Sequence, residues 1–149
     1  MTEKRRYTTM AVNTGGRHGI SRLVDGSFEV DVAMPKEMGG PGEAVNPEQL
    51  FALGWSACFH SALERHKKTF GAEGESKVGV EIGLNTDPEF GGFKLVANIE
   101  VGIEGLSLTE VQEIADQAHG DCAYSKATRG NIDSKVTAIE TFFIEDVNN

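Results

Sequence analysis

Phe28, Val30 and Val32 alternate with Glu29 and Asp31, the period of a strand with one buried face. Leu23-Val24 and the Asp25-Gly26 pair precede them, so the segment reads as the second arm of a hairpin. Val78, Val80, Ile82 and Leu84 form a second alternating run, and Phe93 to Ile103 forms a longer one. The loop Asn85 to Gly92 carries Asp87-Pro88 and Gly91-Gly92 and predicts that these two runs pair antiparallel. Lys135 to Ile144, rich in Val, Thr, Ile and Phe, is read as a final strand.

Two segments carry the helical period instead. Asn46, Pro47, Glu48 and Gln49 form a helix start: a capping side chain, proline at the first helical position, and an acid and an amide in the first turn. The helix should run to about Phe70. From Leu50 to Leu63 it is apolar or small almost all round, which predicts a central helix buried on more than one side. The second helix opens at the box Ser107-x-x-Glu110, places Leu108, Val111, Ala115 and Ala118 on one stripe, and should stop at Gly120. Strands before, between and after two helices indicate an α+β domain, with antiparallel sheets around the long helix, rather than a parallel βαβ sheet. Pro35 to Glu43 is expected to be a mobile loop. It lacks the Gly-Lys-Ser/Thr ending of a phosphate cradle.

Length and charge narrow the functions. At 149 residues one domain is expected, and 39% apolar with 7% aromatic residues gives a core built on aliphatic side chains. With 23 acidic and 14 basic residues the net charge is −9, which repels nucleic acid and anionic membrane surfaces. Met1 to Arg6 is followed by Tyr7-Thr8-Thr9 and not by an apolar run, so no signal peptide is expected. The chain reads as cytosolic, a compartment where two cysteines do not rest as a structural disulfide.

The candidate chemistry lies in few residues. Cys58 is mid-helix, where a small buried hydrophobe is the ordinary reading. Cys122 follows a helix stop and precedes a short helical segment, whose N-terminal partial charge would favour a thiolate. Sixty-four positions separate them, too far for a CxxC pair yet compatible with a fold that joins them. Arg17 is flanked by Gly15, Gly16 and Gly19, which would let its backbone swing, and Glu48 has a plain role as a helix N-terminal acid. His18, His60, His66 and His119 show no metal-ligand spacing with either cysteine.

Asn46-Pro47-Glu48-Gln49-Leu50-Phe51-Ala52 with Ser56-Ala57-Cys58-Phe59 is similar to the first-cysteine motif of the organic hydroperoxide resistance family. Cys122 to Ile132 is similar to its second-cysteine motif, Gly15-Gly16-Arg17-x-Gly19 to its arginine segment, and Gly39-Gly40-x-Gly42 to the loop before the helix. The Lys126 to Gly130 run favours this branch over the osmotically inducible protein C branch of the same superfamily. Ala123 stands where the family usually has proline, and Val45 where threonine is common. Proline there would help to preset the turn, so Ala123 is expected to hold Cys122 less firmly, which bears on the rate of disulfide closure more than on activity.

The resemblance implies a tightly intertwined homodimer and a thiol peroxidase that reduces alkyl and fatty-acid hydroperoxides to alcohols. Cys58 would attack the peroxide and become a sulfenic acid, which Cys122 would close to a disulfide. Arg17 would stabilise the thiolate, and Glu48 would hold Arg17 in a bidentate pair. An ordinary thiol of pKa about 8.5 is a few per cent ionised at neutral pH, and lowering it by about two units needs roughly 2.7 kcal/mol. No bound metal, flavin or haem is implied; the reductant would be a dihydrolipoyl-type dithiol on a lipoyl-bearing protein. On one straight helix Glu48 and Cys58 lie about 15 Å apart along the axis. Either Arg17 spans the gap, the helix breaks, or Glu48 comes from a partner chain, which the implied intertwined dimer favours. Phe51, Leu53, Trp55 and Phe59 are expected to line a pocket for alkyl groups. The competing readings are a peroxidase preferring hydrogen peroxide and a small-ligand or interaction module with merely buried cysteines.

Overall fold

The computed structural model describes residues 2–140. The chain packs as two compact units, Met1–Leu50 and Phe51–Asn149.

In the first unit β1 (Ala11–Thr14), β2 (Gly19–Leu23) and β3 (Glu29–Val32) form an antiparallel sheet in the order β1-β2-β3. The expected hairpin is present: Ile20 faces Asp31 and Arg22 faces Glu29 across β2 and β3. Asp25 Oδ1 accepts the Ser27 amide at 2.9 Å and tightens the turn. Pro35 to Glu43, expected as a loop, carries local order. Lys36–Met38 form a 3-10 turn, and the amides of Gly40 and Gly42 donate to Pro35 and Met34 carbonyls at 3.0 and 3.1 Å. A Cβ at Gly40 would overlap the Met34 carbonyl, so that glycine permits a close approach of backbone to backbone.

Helix α1 (Pro47–Phe70) begins and ends where the sequence places it. Asn46 Oδ1 accepts the Gln49 amide at 2.8 Å, and Gln49 Oε1 accepts the Asn46 amide at 2.9 Å, a reciprocal cap. Trp55, Phe59, Ala62 and Leu63 are buried on one stripe, while Leu53 is 63% exposed. Burial on more than one side is therefore not met within a single chain.

In the second unit β4 (Ser76–Thr86) and β5 (Phe93–Ile103) are antiparallel with Val78 opposite Val101 and Val80 opposite Ile99. Asp87 Oδ1 accepts the Glu89 amide at 2.9 Å and fixes the connecting turn. Helix α2 (Leu108–Asp121) and helix α3 (Ala123–Thr128) lead to β6 (Asp133–Ala138), which lies parallel to β5. The sheet is thus mixed, not wholly antiparallel. Two helices return the chain to the end of the sheet where β5 begins, and a strand entered after such a crossover runs parallel. The expected final strand extends to Ile144, and its residues 141–144 lie outside the described residues.

Ala97, Ile99, Val101 and Ile103 of β5 meet the α1 stripe and Val111, Ile114, Ala115 and Ala118 of α2 in one core. Ile114 belongs to the buried stripe and Leu108, 52% exposed, does not. Leu108 is the first residue of its helix, after the Ser107 cap that accepts the Glu110 amide at 3.2 Å, and there it projects beyond the sheet-facing turns. Among the described residues no helix is long and apolar enough to cross a membrane.

Candidate functional site

The candidate residues gather in two constellations. In the first unit, Gly15 and Gly16 adopt φ of +86° and +60°, and Gly16–His18 form a short 3-10 turn between β1 and β2. These glycines build a tight turn. Asn13 clamps it: its Oδ1 accepts the Gly16 amide at 2.8 Å, and its Nδ2 donates to the Gly16 carbonyl at 3.2 Å and to Ser21 Oγ at 3.0 Å. Arg17 projects from the turn and donates through both terminal nitrogens to Glu48, at 2.9 and 2.6 Å. The hydrogen bond to Glu48 raises the already high pKa of Arg17, and the reciprocal bond holds the Glu48 carboxyl below its ordinary range. Arg17 and Glu48 of one chain thus form the expected bidentate pair and act as one group.

In the second unit the fold brings together Cys58 of α1 and Cys122, the residue joining α2 to α3. Cys122 Sγ donates to Cys58 Sγ at 3.4 Å. Both are free thiols: Cys58 is half-buried and Cys122 is 1% exposed. The main chain at Cys122 is held on both sides, its amide donating to Ala118 at 2.8 Å and its carbonyl accepting Lys126 at 2.9 Å. Ala123 leaves that anchoring intact.

The start of α3 does act on Cys122 in the expected direction, through Ser125, but burial outweighs it. Burial pushes the thiol up, the amide and hydroxyl of Ser125 pull the other way, and Cys58 adds to the rise. A helix of one and a half turns offers too little partial charge to offset removal from water.

Ser125, fully buried, accepts from Trp55 Nε1 at 3.2 Å and lies 2.9 Å from His119 Nδ1. Burial, then the positive Arg129, holds the His119 imidazole below its usual pKa. Sequence reading tested His119 for metal spacing alone and passed over Ser125. The signal was present: His119, Cys122 and Ser125 follow at intervals of three, across a helix break.

The alkyl pocket expected from Phe51, Leu53, Trp55 and Phe59 is not assembled within a single chain. Trp55 and Phe59 are fully buried core residues, and Leu53 points to solvent. Phe51 instead meets Trp55 and Tyr124 edge to face, with centroids 5.7 and 6.1 Å apart. Gly54 lets Tyr124 lie close, since a Cβ there would come 2.6 Å from the phenol oxygen. Among the described residues no group of three His, Cys, Asp or Glu side chains is placed to hold a metal ion.

Residues 40–137 match the family model of OsmC-like proteins. The organic hydroperoxide resistance protein-like 2 of Staphylococcus epidermidis is 46% identical, over 85% of this chain and 91% of its own. The organic hydroperoxide resistance protein of Xanthomonas axonopodis pv. citri is 38% identical, over 91% of this chain and 96% of its own. Among solved structures, an organic hydroperoxide resistance protein from Elizabethkingia anophelis superposes with a TM-score of 0.86 at 40% identity, covering 93% of this chain and 99% of that one. One from Legionella pneumophila gives 0.84 at 41% identity, covering 91% and 98%. The chain belongs to the OsmC-like family, in its organic hydroperoxide resistance branch.

Proposed function

We propose that this protein is a thiol peroxidase that reduces organic hydroperoxides to alcohols, with Cys58 as the attacking and Cys122 as the resolving cysteine. The observation that carries this is the 3.4 Å contact between a half-buried and a fully buried sulfur. A peroxide can meet Cys58, while Cys122 can meet little but Cys58. A module with merely buried cysteines gives no reason for that contact, and the resistance role named for the relatives agrees with the peroxidase.

The Cys58 thiolate attacks the distal peroxide oxygen. An S–O bond forms, the O–O bond breaks, and the alkoxide leaves as an alcohol after taking a proton. Cys122 then attacks the sulfenic sulfur, the S–O bond breaks, hydroxide leaves and becomes water, and a disulfide remains. A dihydrolipoyl-type dithiol, carried by a lipoyl-bearing protein, restores both thiols by exchange and is itself oxidised to a disulfide. Arg17, aimed by Glu48, is assigned the cation that stabilises the thiolate and the departing alkoxide.

The reading includes a homodimer in which the Arg17–Glu48 pair serves the sulfurs of the partner subunit. Among the described residues of the first unit the buried apolar side chains are Val32 and Ala33, whereas Tyr7, Met10, Val24 and Phe28 are more than half exposed. So small a core leaves apolar surface that a second copy would cover. Sedimentation at micromolar concentration should give twice the chain mass; a single-chain mass removes the partner from the account. Turnover of an alkyl hydroperoxide with dihydrolipoamide, abolished by Cys58→Ser, tests the peroxidase itself.

A further inference from the structure

Cys122 must lose its proton to attack, yet it is 1% exposed, so neither bulk water nor hydroxide can collect it. Its polar neighbours are Cys58 and Ser125. Ser125 Oγ has one proton and two lone pairs. Trp55 Nε1 donates to one lone pair at 3.2 Å, which leaves one lone pair and one proton for two partners, Cys122 and His119. Whichever of the two donates to the hydroxyl, the other must accept from it. The hydroxyl thus stands between the buried thiol, on which it acts, and the half-buried imidazole 2.9 Å away.

From this geometry we infer that His119, acting through Ser125, is the proton acceptor for Cys122 when the disulfide closes. The inference rests on the two-cysteine reading above. With the Cys122 proton on Cys58, the Ser125 hydroxyl donates to the Cys122 sulfur and accepts from His119 Nδ1. The relay is set when the half-exposed imidazole moves its proton to Nε2 through solvent and rotation about the Cys122 Cβ–Sγ bond turns the thiol proton from Cys58 toward Ser125 Oγ. As that proton passes to Oγ, the Ser125 proton passes to His119 Nδ1. The freed electron pair on Cys122 forms the S–S bond with Cys58, the sulfenic S–O bond breaks, and hydroxide leaves. Hydroxide takes a proton from solvent, the imidazolium returns one, and the sum is two sulfur centres joined with release of one water. Both end states are fully hydrogen-bonded, because the proton shift exchanges the donor and acceptor sides of the same hydroxyl.

The surroundings of His119 suit a base. Phe59 of α1 packs against its ring with centroids 6.3 Å apart, Arg129 faces it from beyond α3 and donates to its carbonyl at 2.7 Å, and Asp116 lies one turn earlier on α2. Burial and Arg129 oppose a charged ring, with Asp116 as the smaller opposing influence, so the neutral form that accepts a proton persists into mildly acidic solution. Ser125 touches the reacting sulfur and is a catalytic residue in this scheme. His119 acts through it.

The test uses the full chain mixed rapidly with one equivalent of an alkyl hydroperoxide. Sulfenic acid is trapped with a 1,3-diketone, and the disulfide is counted after acid quench. His119→Gln should form sulfenic acid at the wild-type rate and close the disulfide about 10²-fold more slowly, the usual worth of a positioned base. Its closure rate should climb tenfold per pH unit where the wild type levels off, and added imidazole should restore part of it. Ser125→Ala should behave alike, so a His119 variant that misfolds does not leave the question to itself. Closure by His119→Gln within twofold of wild type, with an unchanged pH profile, overturns the relay. Absence of both sulfenic acid and disulfide in the wild type overturns the two-cysteine reading and the relay together, whereas sulfenic acid that closes equally fast in every variant overturns the relay alone.

Discussion

Cys122 donates to Cys58 at 3.4 Å across 64 residues of chain, joining the middle of α1 to the junction of α2 and α3. A disulfide needs about 2.05 Å between sulfurs, so closure asks for roughly 1.4 Å of approach, within the range of side-chain rotation.

Mild oxidation should therefore convert the reduced chain to an intramolecular disulfide. A cross-link over a loop of this length restricts the unfolded chain and raises stability by up to about 4 kcal/mol in the chain-entropy account. Urea unfolding of oxidised and reduced protein checks it, with the oxidised form expected at the higher midpoint. Equal midpoints for a confirmed disulfide would show that closure strains the native packing by as much as it constrains the unfolded chain.

The Arg17–Glu48 pair should make stability depend on pH. Glu48 is ionised more readily folded than unfolded, because Arg17 donates to it. Its contribution is complete above the ordinary glutamate pKa of about 4.3 and is lost as pH falls through the lower folded value. The Arg17 side chain is 34% exposed, which tempers the pair to about 1 kcal/mol. Glu48→Gln should lose about that much at pH 7 and little below pH 3, read from urea midpoints across the series. A constant loss at every pH would mean that packing, not charge, holds the residue.

The glycines around Arg17 make a prediction of their own. A Cβ at Gly19 would overlap the Thr14 carbonyl across the turn. Gly19→Ala should cost about 1–3 kcal/mol and displace Arg17, lowering hydroperoxide turnover while leaving the oxidative closure of Cys58 with Cys122 intact. Unchanged turnover in a folded variant would remove Arg17 from the reaction.

Local signals were legible in the sequence. Asn46 to Gln49 specify a cap by their own side chains, and the alternation of β4 and β5 specifies both strands and their pairing. The cysteines, Arg17 and Glu48 could be singled out by resemblance, and the pairing of Arg17 with Glu48 followed. What stayed hidden depends on the whole fold. The parallel direction of β6 is set by a two-helix crossover, and Trp55 and Phe59 cannot be told from pocket walls until the packing of α1 on β5 is known. The helix-end argument for Cys122 was correct in kind but smaller than the burial that opposes it. His119 was read for metal spacing because its real partner, Ser125, lies beyond a helix break.

The central claim is that Cys58 takes the peroxide oxygen and Cys122 resolves it. Its most direct measurement is consumption of cumene hydroperoxide by the purified protein with dihydrolipoamide, beside Cys58→Ser, Cys122→Ser and the same assay with hydrogen peroxide. The account expects turnover in the wild type, faster with cumene hydroperoxide than with hydrogen peroxide, and none with Cys58→Ser. In Cys122→Ser it expects a trapped sulfenic acid on Cys58. Turnover that survives Cys58→Ser, or a wild type inert with every dithiol, contradicts it.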